Sequence, residues 1–154
     1  TEAVAAPAAK EFRSRLAALR ARYGNGRPVR VFYQVWKQPL TTVNGEQIIS
    51  DAIRTCGGVN VFADLQGLAP NVSVEAVLAA DPEAIVASGM DAARPEWLDD
   101  WRRWPQMQAV VRGNLYFVPP DLIQRHTPRL LEGTRMLCEQ LAAARAKPGA
   151  GQRR

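Results

Sequence analysis

Few side chains in this sequence are equipped for covalent chemistry, and those present lack the partners such chemistry needs. The single histidine, His126, stands just before a Thr127-Pro128 helix start, with no HExxH, CxxC or carboxylate cluster around it. A helix-entry role, or one supporting a neighbouring site residue, therefore fits it better than metal ligation or general-base catalysis. Ser14, Ser50, Ser73 and Ser88 lack a nucleophile elbow. The phosphate cradles GxGxxG and GxxxxGKS/T are both missing, and the glycine pairs follow helices rather than precede them. Cys56 and Cys138 suit either two buried free thiols or one disulfide closing a loop of about 80 residues. What remains is a recognition-type loop. Trp36, Lys37, Gln38, Pro39, Leu40, Thr41 and Thr42 place an aromatic, a cation, an amide and hydroxyls on a proline-stiffened turn, directly after an apolar run.

The elements that must position that loop read as alternating strands and helices. Val29, Val31, Tyr33 and Val35 form a strand covered on both faces. Asn44, with Gln47 three residues on, resembles a capping box that starts a helix burying Ile48, Ile49, Ala52 and Ile53 and ending at Gly57-Gly58. Residues 59–62 form a short second strand or extended segment. Ser73 caps a helix running to Ala80, and residues 84–87 form a buried strand. Pro95 opens a helix to about Arg103, residues 106–111 form a short extra helix, and residues 115–118 form a strand ended by Pro119-Pro120. Thr127-Pro128 then starts the last helix, whose face carries Leu130, Leu131, Thr134, Leu137, Cys138 and Leu141. A helix over residues 5–22 precedes all of this.

The order predicts an α/β fold: a three-layer α/β/α lobe with a mostly parallel sheet of about four strands. In such sheets ligands bind outside the carboxyl ends of the strands. That places Trp36, Leu40 and Thr42 after the first strand, and Asp121 after the last, on a binding edge. Trp97, Trp101 and Trp104, at spacings of four and three, read as a core-facing ridge.

Composition narrows the function classes. Apolar content of 47% and charged content of 23% are ordinary globular values. No apolar stretch approaches the roughly 18 residues of a membrane span, and residues 1–10 lack the pattern of a signal peptide. The formal charge of +5 is confined to the two ends: residues 31–140 hold nine Lys/Arg against thirteen Asp/Glu, a net of −4. No basic stripe crosses the fold, which argues against nucleic acid as a partner.

Three segments together carry a resemblance: QVWKQPLTTVNGEQIISDAIRTCGGVNVFAD, PNVSVEAVLAADPEAIVASG and LYFVPPDLIQRHTPRLLEGTRMLCEQL. They resemble the C-terminal lobe of the periplasmic cobalamin-binding proteins that feed ABC importers, within a larger cluster that also binds haem and ferric siderophores. The similarity runs from about Ala5 to Ala144, and the combination of CGGxNVF, VSxExVLAxxPxAIV and a late TPR is its specific part. It implies two α/β lobes joined by a long helix, with the ligand clamped between them. Residues 1–23 would be the end of that helix, 24–146 the C-terminal lobe, and 147–154 a flexible tail, with the N-terminal lobe missing. It further implies a periplasmic location, no catalytic activity, no cofactor of its own, and cobalamin or a related metal chelate as transported ligand. Glu75 would dock on arginines of the permease subunits, Cys56 and Cys138 would pair as a disulfide, and Asp121 would stand at the pocket edge. Trp36 and Leu40 would lie in the loop that contacts the corrin. One departure is visible: Ala69 precedes Pro70 where the comparable cobalamin binder has a tryptophan, and Trp36 offers a replacement plane. The competing classes are a haem or siderophore binder of the same cluster, and a small α/β enzyme or metal-cluster scaffold, which would need free cysteine ligands.

Overall fold

The computed structural model describes residues 2–89, 91–124 and 127–147. Four strands, β1 (Val29–Gln34), β2 (Gly58–Asn60), β3 (Ala84–Ala87) and β4 (Leu115–Phe117), form one sheet in the order β2-β1-β3-β4. Every neighbouring pair is parallel. The expected α/β lobe with a sheet of four strands is therefore what the sequence builds. β1 is buried on both faces because a helical layer covers each. Val29, Val31 and Tyr33 pack toward α2 (Ile48–Thr55) and α5 (Arg129–Ala146). Phe32, Ile85 and Ala87 pack toward α3 (Val74–Ala80), α4 (Gln108–Val111) and a 3₁₀ segment, Glu96–Arg103. α1 (Glu2–Tyr23) lies outside, against α5, with Phe12, Leu19 and Tyr23 reaching the first layer.

Right-handed crossovers carry the chain from β1 outward to β2 in one direction and from β3 outward to β4 in the other. The crevice between the carboxyl ends of β1 and β3 is thus the topological switch point, where open parallel sheets bind ligands. The edge is braced beneath that crevice. Ser88 donates to the carbonyl of Val118 at 2.6 Å, which leaves it to accept from the buried Tyr33 hydroxyl, also at 2.6 Å. Burial pushes the Tyr33 phenol far above its ordinary pKa, against the smaller opposing effect of Ser88. The opposite edge is tied by Glu83, whose carboxylate accepts from Arg27 (2.6 Å), the backbone N–H of Arg30 (2.9 Å) and Arg112 (3.0 Å).

Several local readings need correction. Helix α2 starts at Ile48, with the Gln47 side chain as cap, bonded to the N–H of Ile49 at 2.7 Å. Asn44 instead bonds Glu46 N–H two residues on, an Asx turn ahead of the helix, so no capping box forms. The segment after Pro95 is 3₁₀ rather than α, and Pro95 occupies its cap position, not its first turn. The last helix begins at Arg129 with Pro128 at its cap and no side-chain capping bond. Gly57 does end α2 at φ +78°, and a Cβ there would meet Tyr23 O at 2.8 Å. His126 and residues 148–154 lie outside the described residues. Lys147, placed by the sequence in a flexible tail, donates to Arg112 O and Asn114 Oδ1, both at 2.8 Å.

Cys56, the C-cap of α2, is bonded to Cys138 in α5 (S–S 2.10 Å). The disulfide that the resemblance implies is therefore present. Cysteine ligation of a metal cluster, the requirement of the scaffold alternative, is removed by the same bond. Among the described residues no His, Cys, Asp and Glu group is arranged to hold a metal.

Candidate binding site

The loop after β1 turns back on itself through an isolated bridge between Trp36 and Thr41, and Thr41 bridges in turn to Asn71 on the loop after β2. Backbone bonds Thr42 N–H to Pro70 O (3.0 Å) and Asn44 N–H to Leu68 O (3.2 Å) continue that pairing. The two loops therefore form one double-stranded rim above β1 and β2. The Gln38-Pro39 peptide within it is cis.

On this rim the predicted residues separate. Trp36 is 39% exposed. Leu40 is half-buried and lines a recess of about 310 Å³. Thr42 is 0% exposed, and its hydroxyl donates to Tyr33 O at 2.6 Å. Its polar atom faces the backbone beneath the loop, so the expectation that Thr42 faces a ligand is corrected: it holds the loop's shape. Asp121 stands exposed on a 3₁₀ turn, Pro120–Leu122, anchored by buried Leu122 and Ile123. With β3 between them, the strands that carry Trp36 and Asp121 are about 10 Å apart. Glu75 is exposed in the first turn of α3, whose start Ser73 caps by accepting from Ala76 N–H at 3.0 Å. The helix dipole alone favours a carboxylate there.

The recess lies between this loop and the 3₁₀ segment, on the α3 side of the sheet. Trp97, Trp101 and Trp104 line one side, and Leu40, Val72 and Val74 the other. Trp101 is buried and donates its indole N–H to Gln34 Oε1 at 2.7 Å, which fixes the floor. Phe32 packs edge-on to Trp101 at 5.7 Å, and Trp104 is tilted against it at 5.5 Å. Lys37 and Asp100 pair across the mouth at 3.0 Å. On the outer side of the same segment, Arg94 bonds both oxygens of Asp99 and, with Arg102, holds that carboxyl at about 2.

The spacing predicts a packing ridge of all three indoles, and only Trp101 is buried. For Trp97 the physical reason is the helix type: at three residues per turn Leu98 and Trp101 share a row and Trp97 is turned about 120° away from Trp101, while Trp104 stands past the segment as its C-cap. Trp97 and Trp104 are half-buried and present ring surface to the recess. Leu65 and Leu68, at 37% and 57% exposure, are the other residues missed. Three of the exposed large apolar side chains, Trp36, Leu65 and Leu68, thus sit on the two paired loops at one edge. Their signal in the sequence was leucine in a stretch otherwise of turn residues.

A parallel sheet whose carboxyl edge carries exposed apolar side chains and a carboxylate is the architecture of a ligand-holding lobe. The chain belongs to the periplasmic binding protein family, whose model matches residues 2–122. It is 36% identical over 138 residues to the vitamin B12-binding protein of Vibrio cholerae serotype O1 (strain ATCC 39541), covering 89% of this chain and 49% of that protein. The vitamin B12-binding protein of Yersinia pestis (strain Pestoides F) is 36% identical over 140 residues, covering 88% and 46%. The crystal structure of periplasmic vitamin B12-binding protein BtuF of Vibrio cholerae superposes with a TM-score of 0.78 at 32% identity, over 92% of this chain and 55% of that one. The periplasmic haem-binding protein HutB of the same organism shares the fold, with a TM-score of 0.76 at 14% identity, over 91% and 57%. The chain spans about half the length of the curated relatives it matches. Among the described residues no helix is long and apolar enough to cross a membrane.

Proposed function

We propose that the chain is the C-terminal lobe of a periplasmic substrate-binding protein that captures a corrinoid for an ABC importer. The observation that carries the reading is the rim: Trp36, Leu65 and Leu68 stand exposed on the paired loops at the carboxyl edge of the sheet, where a bulky ligand has apolar surface to cover. The identity to vitamin B12-binding proteins supports a corrinoid as that ligand. Residues 24–146 are then one jaw. α1, which runs along the outside of the layer, is the end of the connecting helix, and a second lobe outside this chain supplies the facing jaw. Asp121 gives the jaw a polar contact, Trp36 replaces the aromatic plane absent at Ala69, and Glu75 meets arginines of the permease subunits.

Titration calorimetry tests this directly. Joined to its other lobe, the protein binds cobalamin, and the isolated chain binds it weakly or not at all because only half of the contact surface is present. Submicromolar binding by the isolated chain contradicts the two-jaw reading. Haem or a ferric siderophore retained in place of cobalamin, visible by absorbance, overturns the corrinoid assignment.

A further inference from the structure

The positive excess that the sequence holds at the two ends of the chain is gathered by the fold onto one edge. α1 and α5 both finish at the amino-terminal edge of the sheet, opposite the rim. Arg145, in the last turn of α5, donates to Arg27 O at 2.6 Å and to Cys56 O and Gly57 O at 3.0 and 3.2 Å. Arg30 donates to Ala80 O and Asp81 O at the end of α3, at 2.6 and 3.0 Å. Lys147 reaches Arg112 O, just before β4, and Arg20 and Arg22 occupy the last turn of α1. Seven cations thus surround two carboxylates, Asp81 and Glu83, an excess of five.

Helix capping explains part of this charge. α1, α2, α3 and α5 all end here, and each terminus carries about half a negative charge. About three positive charges are left uncompensated. Burial and the nearby charge of Arg27 both pull the Arg145 guanidinium below its ordinary pKa, against a smaller lift from Glu83, which places that side chain in a positive field. A second observation concerns apolar surface. Of the exposed large apolar side chains, those not on the rim, Val59 at 46% and Val111 at 42%, lie at this edge. Val59 is the strand partner of Arg30, and Val111 precedes Arg112. Half-buried Tyr23 stands beside them in sequence to the basic turn, with Arg22 over its ring at 5.2 Å. Cations interleaved with exposed valines suit a surface that is anionic outside and apolar beneath.

We propose that this edge docks on an anionic phospholipid bilayer. The guanidiniums meet the phosphates, Val59 and Val111 reach the headgroup boundary, and the rim is left facing away from the membrane. The inference is independent of which ligand the rim holds. A soluble polyanion would use the cations but gain nothing from the valines.

The test is sedimentation of the protein with vesicles of phosphatidylglycerol and phosphatidylcholine, and with vesicles of phosphatidylcholine alone. The protein partitions to the anionic vesicles at low salt, is released at about 0.5 M salt by screening, and leaves the neutral vesicles bare. A cation brought to such a surface is worth about fivefold, so Arg20→Gln combined with Arg22→Gln weakens binding about 25-fold. Arg94→Gln combined with Arg102→Gln, the same loss of charge at exposed side chains of and beside the 3₁₀ segment, leaves it unchanged. Val59→Ser weakens it about fourfold, the worth of one buried methylene. Equal sedimentation with neutral vesicles, equal losses in the two charge pairs, or indifference to Val59→Ser overturns the proposal. Retention by duplex DNA as strong as by the anionic vesicles at the same salt overturns the bilayer assignment in favour of a general polyanion site.

Discussion

Glu83 lies at the edge of the sheet opposite the rim, with its side chain 10% exposed and three donors on its two oxygens. Burial by itself raises its pKa, but the bonds from Arg30 N–H, Arg27 and Arg112 outweigh that and leave it below the ordinary carboxylate value. A carboxyl depressed in the folded state stabilises the fold fully above its unfolded pKa of about 4.3. That stabilisation is lost as the pH falls through this value toward the lower folded one. Glu83→Gln leaves Arg112, itself 5% exposed in its side chain, without a countercharge. The variant should lose about 3 kcal/mol near neutrality. Its stability should also fall less than that of the parent between about pH 5 and pH 3. Urea midpoints measured across that range check both points, and parallel curves for the two proteins refute the role given to the carboxylate. Thr42 is the converse case. Its type marked it for the rim, and its direction, set by the carbonyl of Tyr33 beneath it, could not be read from the sequence.

At the scale of elements, the strands were legible because each is a short apolar run bounded by Gly, Pro or Asn, and all-round burial in a parallel sheet produces that pattern. The form of residues 96–103 was not legible. A Trp spacing of four and three fits an α ridge, and nothing in that spacing announces the 3₁₀ winding that turns Trp97 away. The setting of Asp121 was hidden for a related reason, since it depends on a single missing side chain in another helix. Gly133 of α5 faces the turn that carries Asp121, and a Cβ there would meet Leu122 O at 2.2 Å. Backbone cannot yield as the tip of a side chain does, so Gly133→Ala should force α5 and the Pro120–Leu122 turn apart. A loss of about 1–3 kcal/mol is expected, as in overpacked cores. If Asp121 contributes to the proposed jaw, ligand affinity of the chain joined to its proposed second lobe should drop with it. Unchanged thermal stability would mean that the turn moves freely and places Asp121 only loosely.

For the whole lobe, the question is whether two layers on one thin sheet behave as one body. The tryptophans of the recess report on the α3 side, whereas α1 and α5 supply most of the helical signal on the other. β1 and β3 belong to both layers: Val31 and Val86 point into one core, Phe32 and Ile85 into the other, and all four are fully buried. Neither layer can open without exposing the back of the strands that the other covers. Indole fluorescence and far-ultraviolet circular dichroism should therefore report a single urea transition. The disulfide bridges only the α2–α5 layer, yet by the same logic it should stabilise the whole. Opening a link between residues 82 apart frees about 4–5 kcal/mol of unfolded-state entropy in the chain-entropy model. Reduction should then move both signals to lower urea by the same amount. A fluorescence midpoint that stays fixed while the helical signal shifts would show that the recess and the rim are carried by a layer with its own stability. In that case the binding edge loosens or orders independently of α1, the helix proposed as its link to a facing lobe.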